Sequence, residues 1–387
     1  MRKSDIFILL TIAFIIYAGF NFFVFWHGFA ALKMYPTLRL WYSVAYPVVS
    51  LSWITGRLLE RQRITMLSSA MIWFGSFWLA ALVYSLMIAI AYDLLRLVNA
   101  FIPFLPTQFT TPEANAALLV VSFVAVAMLI IGGAINAMFP RVRSLPLTIE
   151  KTPPALKSLT VVAVSDIHLG TIIRKGRLQR IVDLINSLHA DLVLLPGDIV
   201  DEDIGPVIKQ DLGGTLRNIQ ARLGVFATTG NHEYIGGVEP SCKYLNEHGI
   251  RLLRDEAITL ADSIVLVGRE DVSYNRTAHR RKSLDELLHG IDRTLPIILL
   301  DHQPFRLHEA EEHGVDLQLS GHTHHGQIWP LSLLTRKIFE VSWGYKRKGH
   351  THIYVSCGVG SWGPPVRIGS TPEIMNIRLT FIERKQI

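Results

Sequence analysis

The stretch VDLQLSGHTHHGQIWP, Val315 to Pro330, ends an apolar run with three imidazoles, His322, His324 and His325. The run has the composition of a buried strand and stops at Gly321. His322 and His324, two apart, share one face of an extended segment. Imidazoles gathered at the tip of a buried strand suit a metal, so the other apolar runs must be asked how they end.

They end alike. LTVVAVSDIHLG predicts a strand over Leu159–Ser165 followed by Asp166 and His168. GRLQRIVDLINSLH then places Leu178, Ile181, Val182 and Ile185 on one face of a helix. DLVLLPGD closes on Asp198, GVFATTGNHE on Asn231 and His232, and PIILLDHQP on His302. HIYVSCGVGS and EIMNIRLTFIE read as further strands near the end. Strands interspersed with helices give an α/β domain, and in such open sheets ligands bind beyond the carboxyl ends of the strands. Each cluster alone has a bland explanation: a capping aspartate, a Gly-Asp turn, a strand-end histidine. Five such accidents, each at a strand end, are a poor account of the whole.

The pooled donors are Asp166, His168, Asp198, Asn231, His302, His322 and His324. Two carboxylates, one amide oxygen and four imidazoles suit Mn, Fe or Zn rather than Mg or Ca, which prefer oxygen shells. Zinc alone needs only three or four ligands. The surplus points to two divalent ions, which a shared carboxylate would hold about 3.5–4 Å apart, the spacing used in phosphoester displacement.

Upstream the composition changes. The 387-residue chain is 50% hydrophobic and only 18% charged, and the apolar excess lies before about residue 140. Four segments approach the roughly 20 residues of a membrane span: Ile6–Trp26, Leu38–Thr55, Met66–Tyr92 and Ala117–Phe139. The first is too long for the apolar core of a signal peptide, about 7–15 residues. Four crossings put Arg2, Lys3, Arg57, Arg61, Arg63, Arg141 and Arg143 on one side and Lys33, Arg39 and Arg96 on the other. Seven against three predicts that the first side, with the C-terminal domain, is cytoplasmic. The expected organisation is a four-span transmembrane bundle over 1–140, a proline-bearing linker over 141–158 and an α/β domain over 159–387. Cys242 and Cys357 read as free thiols. The net charge of +6 is weak evidence for anionic partners.

The order D-x-H, G-D, G-N-H-[DE], H, G-H-x-H resembles the calcineurin-like metallophosphoesterase superfamily, from about Leu159 to the C-terminus. SDIHLG, GNHEY, GHTH-x-GQ and SCGVGSWGPPVRI are similar to its bacterial membrane-associated branch. The resemblance implies a four-layer αββα sandwich. It also implies one ion on Asp166, His168, Asp198 and His324, and a second on Asp198, Asn231, His302 and His322. Asp198 would bridge. His232 would stabilise the transition state or protonate the leaving group. His325 departs from the glycine usual in this branch, and Glu233 is an ordinary alternative to aspartate.

The expected activity is hydrolysis of a phosphodiester or pyrophosphate by metal-bound hydroxide. The substrate is amphipathic or lipid-linked, or alternatively a soluble nucleotide or phosphodiester. A transporter or sensor with a non-catalytic metal-binding domain is the competing class, against which the intact ligand set and His232 argue. No long basic stretch interleaved with aromatics supports a nucleic-acid partner, with one exception to examine. GQIWPLSLLTRKIFEVSWGYKRKG, Gly326–Gly349, is both apolar and basic. It reads either as a buried strand pair with a basic turn or as a lip between membrane and metals.

Overall fold

The computed structural model describes residues 3–276 and 279–383. Arg2, counted above among the flanking cations, and residues 384–387 of the expected α/β domain lie outside them. The chain divides into two compact units, Met1–Ala134 and Ile135–Ile387.

The first unit is helical: α1 (Lys3–Ala31), α2 (Pro36–Gln62), α3 (Met66–Phe101) and most of α4 (Pro112–Met138). Among the described residues three helices, α1, α3 and α4, are long and apolar enough to cross a membrane. The expected second span does form α2, but it falls short in apolarity. Ser43, Ser50, Ser52, Thr55 and Pro47 dilute its middle, and Arg39 sits near its start. Hydrogen bonds between polar groups link its helices. The Tyr46 hydroxyl of α2 donates to the Asn21 carbonyl of α1 at 2.9 Å, and Trp78 Nε1 of α3 donates to Asn21 Oδ1 at 3.0 Å.

The second unit lays down twelve strands: β1 (Arg141–Ile149), β2 (Ser158–Ala163), β3 (Leu192–Pro196), β4 (Val225–Thr228), β5 (Arg251–Leu252), β6 (Glu256–Leu260), β7 (Ile264–Gly268), β8 (Ile297–Leu300), β9 (Leu317–Ser320), β10 (Gly344–Lys348), β11 (Thr351–Val355) and β12 (Glu373–Phe381). They form two six-stranded sheets, ordered β1-β12-β2-β3-β4-β5 and β10-β11-β9-β8-β7-β6. Alternate residues of both sheets meet in one apolar cluster. Leu159, Val161 and Leu194 of the first sheet pack with Leu266, Ile298 and Leu319 of the second. Each such side chain contributes about 1.5–3 kcal/mol by leaving water. The opposite residues of the second sheet, Val265, Val267, Ile297 and Leu299, pack with Leu284, Leu287 and Ala310 of short helices. On the crossover between parallel β2 and β3, α5 (Lys175–Ser187) buries Leu178, Ile181, Val182 and Ile185, the face expected from its periodicity.

Two expectations need correction. The segment 141–158 is not simply a linker, because β1 occupies its first nine residues and pairs in parallel with β12. Pro146 is tolerated there because β1 is an edge strand and no second neighbour needs its missing N–H. The unit boundary also lies earlier than residue 140. Asn136, near the end of α4, donates to the Arg367 and Ser370 carbonyls at 3.0 and 2.8 Å and so belongs to the second unit.

The sheets also position the ligands. β2, β3 and β4 run parallel in one sheet, β8 and β9 in the other, so the loops after them open at matching edges.

Candidate metal centre

The loops after three of these strands, β2, β3 and β9, have unusual backbones. Asp166, His168, Asp198, His322 and His324 all adopt positive φ, between 46° and 72°. Such conformations cost on the order of 1–3 kcal/mol each and persist where surroundings over-determine them. Two motif glycines show how closely the loops converge. A Cβ on Gly230 would strike the Asp198 carboxylate, and one on Gly321 would strike Asp166 Oδ2. The G of GNHE and the G of GHTHH are therefore spacers that let neighbouring loops supply ligands.

All seven expected donors come together, with Asp198 between two groups. On one side His168 Nε2 and His324 Nε2 lie 3.0 Å apart, and His324 Nε2 is 3.5 Å from Asp166 Oδ1. On the other, His302 Nε2 and His322 Nδ1 lie 3.3 and 2.7 Å from Asn231 Oδ1. Asp198 Oδ1 accepts the backbone N–H of His232 at 2.9 Å. Its Oδ2 faces His302 Nε2 at 3.1 Å and His168 Nε2 at 3.8 Å, one from each group. The His302 ring is oriented by the Pro196 carbonyl, 2.8 Å from Nδ1. A carbonyl only accepts, so Nδ1 carries the proton and Nε2 is turned toward the donors, the usual arrangement behind a ligating imidazole.

Electrostatics agree with a cation site. Burial opposes charge on Asp198, but His302, His232 and His168 hold its carboxyl below the usual carboxylate range. Burial, helped by His302, lowers His322 to about 4. Burial with His168 and Arg367 holds His324 well below its ordinary value. Both rings are thus neutral near pH 7, as metal ligands must be. His302 is the exception: burial disfavours its charge, yet Asp198 and Asp166 pull it well above its ordinary value. The pocket attracts positive charge.

His232 lies beside these groups, with a ring nitrogen within 4.8 Å of ligand atoms of His168 and Asp198. Its Nδ1 lies 3.0 Å from Asp201 Oδ1, and its ring meets the His168 ring edge-on at 4.5 Å between centroids. Burial lowers its basicity, but the Asp201 hydrogen bond and the Asp198 charge push it up to about 9. Asp201 is a site residue that motif reading missed. So is the role of Glu233, whose carboxylate accepts the backbone N–H groups of Asp198, Ile199, Val200 and Gly230 at 2.7–3.1 Å. It ties the GD loop to the GNHE loop.

Arg367, from the PPVRI tail, is fully buried and reaches His324 Nδ1 at 3.1 Å and the Gly358 and Gly360 carbonyls at 3.2 and 2.7 Å. Gln327 pins the Trp362 and Pro364 carbonyls at 2.8 and 2.9 Å. The tail signature is thereby a brace behind the ligand loop. His325 is buried and faces away from the two donor groups, with Nδ1 3.1 Å from Ser342 Oγ and Nε2 3.4 Å from Arg336 Nη2. Its φ of 48° accounts for the glycine usual at that position.

A metal fits these residues. Asp166, His168 and His324 form one group whose ligand atoms lie mutually within 4.8 Å, and Asp198, His302 and His322 form another. Asp166 Oδ2 is buried without a hydrogen-bond partner among the described residues, a cost that a cation relieves.

Known proteins carry the same pattern. The calcineurin-like phosphoesterase family model matches residues 159–326. An uncharacterized metallophosphoesterase of Helicobacter pylori J99 is 37% identical over 242 residues, 62% of this chain and 64% of that protein. The Danio rerio transmembrane protein with metallophosphoesterase domain is 34% identical over 273 residues, 67% of this chain and 62% of that protein. The chain thus spans a little under two thirds of the length of these two relatives. An uncharacterized metallophosphoesterase of Aquifex aeolicus is 33% identical over 248 residues, 63% of this chain and 94% of that protein. Likeness over nearly the whole of that relative, with the ligand motifs in order, makes this chain a member of the calcineurin-like metallophosphoesterase superfamily.

Proposed function

We propose that the chain is a membrane-anchored phosphoester hydrolase that works with two divalent cations. One would be held by Asp166, His168, Asp198 and His324, the other by Asp198, Asn231, His302 and His322. The observation that carries this reading is the division of labour at Asp198. Its Oδ1 is spent on the backbone N–H of His232, while Oδ2 faces a ring nitrogen of each group.

When bound, such ions lower the pKa of water and withdraw charge from phosphoryl oxygens. The chain's own residues do the rest. Asp201 accepts from His232 Nδ1 and favours the protonated ring, whose Nε2–H can then be offered to a phosphoryl or leaving oxygen. Glu233 and Arg367 hold the ligand loops in their strained conformations. The catalytic fold is read as a four-layer sandwich, with helices outside the paired sheets. The substrate class is a phosphodiester or pyrophosphate, with an amphipathic or lipid-linked molecule favoured by the apolar helices of the same chain.

The anchoring is read as multi-pass with a cytoplasmic catalytic unit. α2 is taken as a fourth crossing because Leu40 to Gly56 carries no charge, while Arg39 and Arg57 flank it. A topology reporter fused after Ile387 should be active only as a cytoplasmic fusion. External labelling of that terminus in intact cells would reverse the assignment.

Activity is tested on the purified full chain with Mn²⁺, offered a phosphodiester, a phosphomonoester and a nucleotide-diphospho-lipid. Metal-dependent turnover of the diester or the diphospho-lipid is expected. No turnover of any of the three by metal-loaded protein would return the domain to the non-catalytic class.

A further inference from the structure

The segment after the GHTHH loop is neither a buried strand pair nor an ordinary surface. It forms the Leu331–Ile338 helix, followed by β10. Leu331, Leu333, Leu334 and Ile338 are 44–55% exposed, and Arg336 and Lys337 are exposed in its last turn. Contiguous exposed apolar side chains of this kind mark a surface that something covers.

We infer that this helix lies in the surface of an anionic bilayer, seating the mouth of the metal centre at the membrane. The inference rests on the membrane anchoring proposed above, and three observations within the second unit carry it.

The first is position. Trp329 N–H, two residues before the helix, donates to the Ile368 carbonyl at 2.7 Å. The flanking carbonyls of Arg367 and Ser370 accept from Asn136, near the end of α4. The helix therefore starts beside the end of a segment long and apolar enough to cross a bilayer. Where such a segment ends, the headgroup region begins. Met138 and Phe139 at that point are 41% and 63% exposed, so the apolar surface continues through it.

The second is chemistry. Leu331, Leu334 and Ile338 share one face of this amphipathic helix, flanked by Leu333, Arg336 and Lys337, the composition of an interfacial element. Arg347 on the neighbouring β10 is also exposed. Cations at this edge favour anionic headgroups, each contributing about 1 kcal/mol at such a surface.

The third is attachment to the site. Phe339, directly after the helix, places its ring 5.8 Å from that of His322 and 5.0 Å from that of Phe305. The buried His325 ring contacts Arg336 of the helix and Ser342 beyond it. A helix braced this way on the ligand loop cannot settle in a bilayer without bringing the metal centre with it.

The test uses the full chain in nanodiscs containing phosphatidylglycerol and lipids spin-labelled near the headgroup. Leu334→Cys carries an environment-sensitive fluorophore, with Leu333→Cys as a second variant should the first fail to fold. Cys242 and Cys357 are buried, so wild-type protein sets the labelling background. Ser187→Cys, exposed at the end of α5, is the comparison position. The expected result is a blue-shifted, strongly quenched probe at 334 or 333 and neither change at 187. Adding Arg336→Glu and Lys337→Glu should weaken the quenching. Equal quenching at both positions, or none at 334 and 333, overturns the inference. A blue shift without quenching assigns the face to a protein partner and overturns it too. Incorporation into the disc is scored on the same sample. A chain that does not incorporate defeats the anchoring and this inference together, whereas an incorporated but unquenched chain defeats this inference alone.

Discussion

A large apolar side chain has opposite fates in the two units. In the first, Phe123 of α4 is 73% exposed, while Ser76 of α3 is fully buried. In the second, Leu194 of β3 is fully buried and packs across two sheets. Polar groups are buried in the second unit too, and a set of them, including Asp166, Asp198 and His302, converges at the strand ends. An outward apolar face with inward hydroxyls is the pattern of a helix whose solvent is lipid. An inward apolar core with a polar cluster at the strand ends is that of a water-soluble enzyme. The Leu331–Ile338 helix is the place where the second unit borrows the pattern of the first, and it adjoins the metal ligands.

Substitutions can break that contrast at several strengths. The largest effect is expected at Asp198, the one carboxylate shared by both donor groups. Asp198→Asn should lower turnover by at least about 10³-fold, since loss of a single preorganised group already costs 10²–10³. Steady-state kinetics at saturating Mn²⁺ checks this, and a loss below tenfold would remove Asp198 from its bridging place. Next comes His232→Ala, expected to cost about 10²-fold in turnover while metal content stays near wild type. If metal and turnover fall together, His232 is a ligand.

The third test sets one leucine against another. Leu194→Ala should destabilise by about 2–5 kcal/mol, because it empties a packed core. Leu334→Ala, 55% exposed, should stay within about 0.5 kcal/mol by the same denaturation measurement in detergent. A large cost at Leu334 would mean that its side chain is core and that the two patterns do not meet in the second unit.

Much of the second unit was legible because its chemistry is local. Asp166, His168, Asp198, Asn231, His302, His322 and His324 each close an apolar run, and a strand needs only such a run to be recognised. What escaped detection depends on pairing across long separations. β1 falls in the stretch read as a linker because Pro146, Pro153 and Pro154 discourage helix, and nothing nearby reveals that β12, over two hundred residues later, pairs with it. Asp201 looks like any acidic loop residue until it meets His232. Arg367 stands in a recognisable tail motif, yet only the fold brings it to His324. The second span differs from the other three for a different reason. Its length was right, but its hydroxyls and proline leave it less apolar than its neighbours.

The central claim is that one chain holds two cations joined by Asp198. Elemental analysis of purified protein after loading with Mn²⁺ and desalting measures this directly, with Asp198→Asn treated in parallel. The account predicts two tightly held ions per wild-type chain and a marked loss from the variant. One ion per wild-type chain, or unchanged occupancy in Asp198→Asn, would contradict it.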